Sequence, residues 1–236
     1  MKRAFLLGLA AAALVPAGLP AIAAPASKAP VARDWTRVVV ATPEGGFRVG
    51  NPAAPTKLVE YGSLTCDHCA RFAEVGVPQL LSKYVKSGRV SFEFRNFVRD
   101  PYDVTAALLS RCAGPANFFA LTDSYFSGQK AWVGRFQGMT EAQAKALDAL
   151  PPEQQFAQLA SIGGLDAMAA KAGITPARAK QCLSDKAGLD QLVAMRKVAV
   201  EKHKLQGTPT FVINGKTAEH AHDWTALEPL LGSPGG

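Results

Sequence analysis

Charge is in short supply in this sequence. Only 19% of its 236 residues are Asp, Glu, Lys or Arg, too few for a chain that stays solvated and disordered. Cysteine is scarcer still, at four. That excludes a small disulfide-stapled scaffold, and a chain this long buries enough apolar surface to fold without one. The 21 Gly and 16 Pro are scattered, so collagen-like and low-complexity readings fall away. There is no internal repeat, and beyond the N-terminal segment no apolar run is long enough to cross a membrane. What remains is 48% hydrophobic, the usual content of a globular protein with a real core. The length allows one large domain or two modest ones.

The net charge is +7. Lys2 and Arg3 belong to an apparent targeting segment without acids, which leaves +5 on the remainder. Lys83, Lys86, Arg89, Arg196, Lys197, Lys202 and Lys204 show that this excess is spread over several segments. Such spreading fits solvated helix faces and not a nucleic-acid patch, which would need clustering.

The N-terminus has the layout of a secretory signal peptide over residues 1–23. Met1-Lys2-Arg3 is a positive start, residues 4–15 are apolar, and Pro16, Gly18 and Pro20 break continuity. Ala21-Ile22-Ala23 and Ala24-Pro25-Ala26 both fit small-residue cleavage sites. The rival is an uncleaved anchor, since the next charge is Lys28; the apolar core is short for a span, and prolines stand where a span should continue. No Cys follows to carry a lipid. Export implies an oxidising compartment. All four Cys lie after the expected cleavage site, and the even count suggests two pairs.

Residues 24–35 are rich in Ala and Pro and read as a linker. Residues 37–41 read as a strand, with a turn at 43–46 and a returning strand at 47–49. Lys57-Leu58-Val59-Glu60-Tyr61 is a further strand. A helix is expected to begin at or near Cys66, with Cys69, Phe72, Ala73, Leu80, Leu81 and Tyr84 at helical spacing. Pro78 predicts a kink or restart there. Residues 90–94 read as a strand, and strand-helix-strand order favours a right-handed parallel pair. From 103 to 204 the pattern is helical, with breaks expected at Gly114-Pro115, Gly138, Pro151-Pro152, Gly163-Gly164, Gly173 and Gly188. Thr210-Phe211-Val212-Ile213 is a strand, Asn214-Gly215 a hairpin turn, and 216–218 its partner. Residues 223–231 close the chain as a helix, with Asp223 as N-cap. The fold class is therefore α/β, with about a hundred helical residues inserted: residues 36–102 and 205–236 form one domain, and 103–204 the insertion.

Cys66-Asp67-His68-Cys69 is where chemistry concentrates. At the start of a helix the first of two such sulfurs faces unpaired N–H groups and the positive end of the helix dipole. That favours the thiolate, which is the species that attacks a disulfide. A nearby His68 imidazole would add to this. The same four residues could be half of a zinc site, but a closed site needs a second ligand pair. Cys112 and Cys182 are isolated, and His220 and His222 read as solvated. A structural 66–69 disulfide is the other alternative, although so small a loop constrains the unfolded chain little. The βαβ setting favours redox chemistry.

Two signatures, LVEYGSLTCDHC and Gly207-Thr208-Pro209-Thr210-Phe211-Val212-Ile213-Asn214-Gly215, with a helical block between them, resemble the DsbA-like thiol-disulfide oxidoreductases of the thioredoxin superfamily over residues 36–231. The resemblance implies a thioredoxin-like fold with a central mixed sheet and an inserted helical domain. It makes Cys66 the attacking nucleophile and Cys69 the buried resolving thiol. It makes Pro209 a cis proline beside the pair, leaving Thr208 free to offer backbone groups to an extended substrate. Glu60 takes the place of a buried acid that assists proton transfer at the resolving thiol; an ordinary edge carboxylate is the alternative. DsbA-like proteins usually carry Pro after the first Cys, where this chain has Asp67, and a carboxylate there disfavours the thiolate. A less extreme oxidant is expected. Some family members carry a second disulfide, which here would join Cys112 and Cys182. The alternative is two buried free thiols. A bridge would close about 70 residues and contribute roughly 4 kcal/mol in the chain-entropy model.

The expected function is an exported, periplasmic dithiol oxidase acting on reduced or unfolded exported polypeptides. The resemblance implies a monomer without cofactor or metal, reoxidised by a membrane quinone-linked partner of the DsbB type. The alternatives are a disulfide isomerase or reductase, and a non-catalytic copper-handling or holdase module.

Overall fold

A computed structural model describes residues 33–232. The expected signal peptide and residues 24–32 of the expected linker lie outside these residues. The end of that linker is tied down: Asp34 caps a 3-10 turn at Trp35–Arg37, and the Trp35 N–H donates to Lys86 O at 3.5 Å. The first strand thus starts later than residue 37.

Strands β1 (Val39–Ala41) and β2 (Phe47–Val49) form an antiparallel hairpin. β3 (Thr56–Gly62) and β4 (Val90–Asn96) pair in parallel, with Leu58 opposite Phe92, Glu60 opposite Phe94 and Gly62 opposite Asn96. β5 (Thr210–Ile213) runs antiparallel to β3, and β6 (Lys216–Thr217) pairs with β5. The strand order is β1-β2-β4-β3-β5-β6. Glu60 therefore sits on a central strand, not an edge. The β5–β6 turn puts Asn214 at φ 49° and Gly215 at φ 84°, the backbone that Asn-Gly supplies at least cost.

Helix α1 (Asp67–Leu80) crosses between β3 and β4, burying Cys69, Phe72, Ala73, Gly76 and Leu80. It does not break at Pro78. It continues to Leu80 and passes into a π turn at Leu81–Val85, so the irregularity expected at Pro78 falls just beyond it, in the wider turn.

After β4 come α2 (Pro101–Cys112), α3 (Gly114–Ser127), α4 (Gln129–Gln137), α5 (Glu141–Asp148), α6 (Pro152–Gly163), α7 (Leu165–Lys171), α8 (Pro176–Leu183) and α9 (Lys186–His203). Asp100 starts this run three residues before Asp103: its carboxylate accepts the Asp103 N–H, and Pro101 opens the helix where no N–H is needed. Gly188 does not break a helix. It lies inside α9, and the break falls instead at Asp185, whose side chain caps that helix. The insertion is welded to the sheet through aromatic rings. Phe118 of α3 stacks on Phe47 with centroids 3.9 Å apart, and Phe94 meets both Phe118 and Phe126. A smaller core of Tyr61, Phe97, Ala199, Leu205 and Val212 seals the other sheet face under the end of α9.

A disulfide joins Cys112, the last residue of α2, to Cys182 of α8, with Cα atoms 5.9 Å apart. The closing helix is short: α10 (Trp224–Leu227), capped by Asp223, gives way to a 3-10 turn at Glu228–Leu231. Among the described residues, no helix is long and apolar enough to cross a membrane.

Candidate active site

Cys66 stands at the junction of β3 and α1. It is the N-cap residue of α1, with extended backbone, and its side chain makes no capping bond to the helix. The thiol instead donates to Thr208 O at 3.2 Å. Thr208 precedes Pro209 through a cis peptide bond. Two segments 142 residues apart thus meet at one sulfur.

One helical turn on, Cys69 is fully buried. Both cysteines are free thiols. Their environments push them apart. Cys66 is held down to about 5, first by hydrogen bonding from the Cys69 thiol, then by the Thr208 hydroxyl, the Cys69 N–H and the Arg99 charge, while burial pulls the other way. Cys69 is pushed well up, mainly by burial, then by Cys66 and Glu60. Glu60 is buried and also pushed well up, by burial and then by the Cys66 charge. Its Oε1 has no hydrogen-bond partner, so the neutral acid is the form this pocket favours. Gly62 keeps that pocket closed: a Cβ there would stand 2.5 Å from the Phe94 ring and 3.0 Å from Glu60 Oε1.

Asp67 and His68 are exposed. Asp67 Oδ1 accepts the His68 N–H at 2.9 Å, and neither side chain is among the largest influences on the Cys66 thiol. The carboxylate is spent on its own helix terminus, in water, where charge is screened. Arg99, which the sequence reading passed over, carries a charge that favours the Cys66 thiolate. Asp103 and Gln129 were also missed. Asp103 carried one signal, an acid on the same helix stripe as the buried Ala106, Ala107 and Ser110. Among the described residues, no group of three or more His, Cys, Asp or Glu converges as metal ligands.

A family model described as thioredoxin matches residues 42–232. The chain belongs to the thioredoxin family. Its fold is DsbA-like. The structure of a protein-disulfide isomerase from Novosphingobium aromaticivorans superposes with TM-score 0.74 and 36% identity, covering 78% of this chain and 94% of that one. Wolbachia pipientis alpha-DsbA1 shares the fold, with TM-score 0.62 at 23% identity over 81% of this chain and 91% of its own. A Rickettsia bellii protein, by name a protein-disulfide oxidoreductase, is 29% identical over 180 residues, which are 75% of this chain and 60% of that one. This thioredoxin-family chain therefore spans about 60% of the length of the curated relatives it matches.

Proposed function

We propose that this chain is an exported thiol-disulfide oxidoreductase that oxidises dithiols in exported polypeptides. The carrying observation is the split between the two thiols: Cys66 is held down to about 5 beside Thr208, while Cys69 is buried and pushed up. A pair that stabilises its thiolate stabilises its reduced form, and a stabilised reduced form makes the disulfide oxidising.

In the oxidised enzyme a substrate thiolate attacks Cys66 Sγ and breaks the Cys66–Cys69 bond. Cys69 leaves as a thiolate and takes a proton, for which the neutral Glu60 carboxyl is the donor. A second substrate thiolate then attacks the substrate sulfur of the mixed disulfide, and Cys66 leaves as the stable thiolate. The substrate loses two electrons and the pair gains them. The Thr208 backbone beside the sulfur is suited to an extended substrate strand. A periplasmic location, reoxidation by a membrane quinone-linked partner of the DsbB type and a monomeric enzyme complete the reading. The sequence pattern of residues 1–23 and the DsbA-like resemblance support these.

The likeness to the Novosphingobium protein-disulfide isomerase favours a second reading, disulfide isomerisation. A glutathione titration of Cys66–Cys69, combined with refolding assays, separates the two. An oxidase has an oxidising potential and introduces disulfides into a reduced test protein. A strongly reducing potential, with activity only on scrambled disulfides, would overturn the proposal. Stoichiometric copper binding without turnover on reduced peptide would point instead to a copper-handling module.

A further inference from the structure

The turn that carries Cys66 is held largely from outside the βαβ unit. Asp103, in the first turn of α2, has no solvent exposure. Its carboxylate accepts three donors: Ser63 O–H at 2.6 Å, Leu64 N–H at 2.9 Å and Arg99 N–H at 3.1 Å. Two of these belong to the 63–66 turn. The third belongs to the residue whose Nη2 donates to Thr65 Oγ1 at 2.9 Å and whose charge favours the Cys66 thiolate. Thr65 also reaches the Asp100 carboxylate at 3.1 Å. From the opposite side, buried Gln129 of α4 donates through Nε2 to Leu64 O at 2.7 Å and Cys66 O at 2.9 Å.

We infer that Asp103 is a positioning residue for the redox pair: its carboxylate fixes the turn that brings Cys66 to Thr208 and aims Arg99 toward that thiol. The inference rests on the reading of Cys66 as the exchanging thiol. Asp103 does not touch the reacting sulfurs and acts through Ser63, Leu64 and Arg99. Its burial is costly, pushing the carboxyl up to about 7 against the pull of its own hydrogen bonds. An interior position that served packing alone would be filled at less cost by an apolar side chain. What the carboxyl supplies and an apolar residue cannot is a pair of oxygens, one for Leu64 and one shared by Ser63 and Arg99. The helical insertion thereby shares in setting how readily Cys66 loses its proton.

Asp103→Asn tests this in the full chain. An amide has one oxygen, so serving Ser63 and Arg99 turns its NH₂ against the Leu64 N–H. Ser63→Ala removes the 2.6 Å bond alone. Thiolate absorbance followed against pH reads Cys66, a glutathione equilibrium reads the pair, and thermal melting reads the fold. The expected result for Asp103→Asn is a cooperative melt with the thiolate fraction near pH 5, where Asp103 is itself a neutral acid that still serves the Leu64 N–H through Oδ1, cut about threefold or more. The glutathione equilibrium should move by a similar factor toward a less oxidising pair, and Ser63→Ala should shift both the same way by less. A wild-type Cys66 titration in folded Asp103→Asn would overturn the inference. If that variant does not fold, a wild-type titration in Ser63→Ala would do so. If Cys66 shifts as expected but the wild-type pair does not exchange with glutathione, the proposed function fails and the positioning role stands.

Discussion

At Cys66, Asp103 and Glu60, the same physics that tunes reactivity also writes a pH dependence into stability. The Cys66 thiol, held at about 5, titrates near ~8.5 in an unfolded chain. Over that window the folded reduced protein binds fewer protons than the unfolded chain, so its stability rises with pH. The contribution is fully present above ~8.5 and is lost as pH falls through about 5. The oxidised protein has no such thiolate. The melting temperature of the reduced protein should therefore gain on that of the oxidised one from about pH 5 to ~8.5, and Cys66→Ser should remove the trend. Asp103 carries the opposite sign. Its folded value of about 7 lies above the unfolded ~3.9, so its contribution is full below ~3.9 and lost as pH rises through about 7. Denaturant melts of Asp103→Asn should show a shallower decline between those limits. Glu60, also raised, behaves likewise, and Glu60→Gln should gain stability relative to wild type as pH rises above ~4.3. The same variant should slow exchange in stopped-flow assays, because it removes the proton donor to Cys69. Unchanged rates would exclude Glu60 from proton transfer.

Among the elements, α4 makes an unexpectedly direct contribution to the site. Gln129, at its first position, satisfies two buried carbonyls of the redox turn with one nitrogen. Replacing it by Leu strands both acceptors, which should cost roughly 1–3 kcal/mol in denaturant unfolding. The local loss should also raise hydrogen exchange in the 63–66 turn. Why this contact was illegible in the sequence is instructive. The strands at 57–61, 90–94 and 210–213 follow from local pattern, as do the Asn214-Gly215 turn and the Asp223 cap, and the structure places each within a residue or two. Cys66 and Thr208 were legible because motifs flagged them. Gln129, Arg99 and Asp103 carry no motif; their roles arise only when segments 34 to 65 residues away in sequence pack over the turn. Gly188 misled for the complementary reason. A glycine in a helical run suggests a break, whereas here it lets α9 approach Leu108 and Asp185 closely.

On the scale of the whole molecule, the described insertion and sheet fall within one compact unit. The Cys112–Cys182 bridge closes 70 residues of that unit. In the chain-entropy model such a loop is worth about 4 kcal/mol, so the double replacement by Ala should lower unfolding free energy by about that amount. Its cysteines lie away from the redox pair, so the glutathione equilibrium of Cys66–Cys69 should stay at the wild-type value. A shift there would show that the bridge reaches the site through α2.

The 142-residue separation between Cys66 and its Thr208 partner also dictates when the site can exist. Contacts that close so large a loop come late in folding, because the entropy of closure must be met before they reward it. A chain released from synthesis only as far as α8 already carries both thiols of the pair. It lacks the strand that completes the sheet beside β3 and the backbone that shelters Cys66. The unfinished protein is then itself a dithiol polypeptide, open to the same chemistry that the finished one is built to perform.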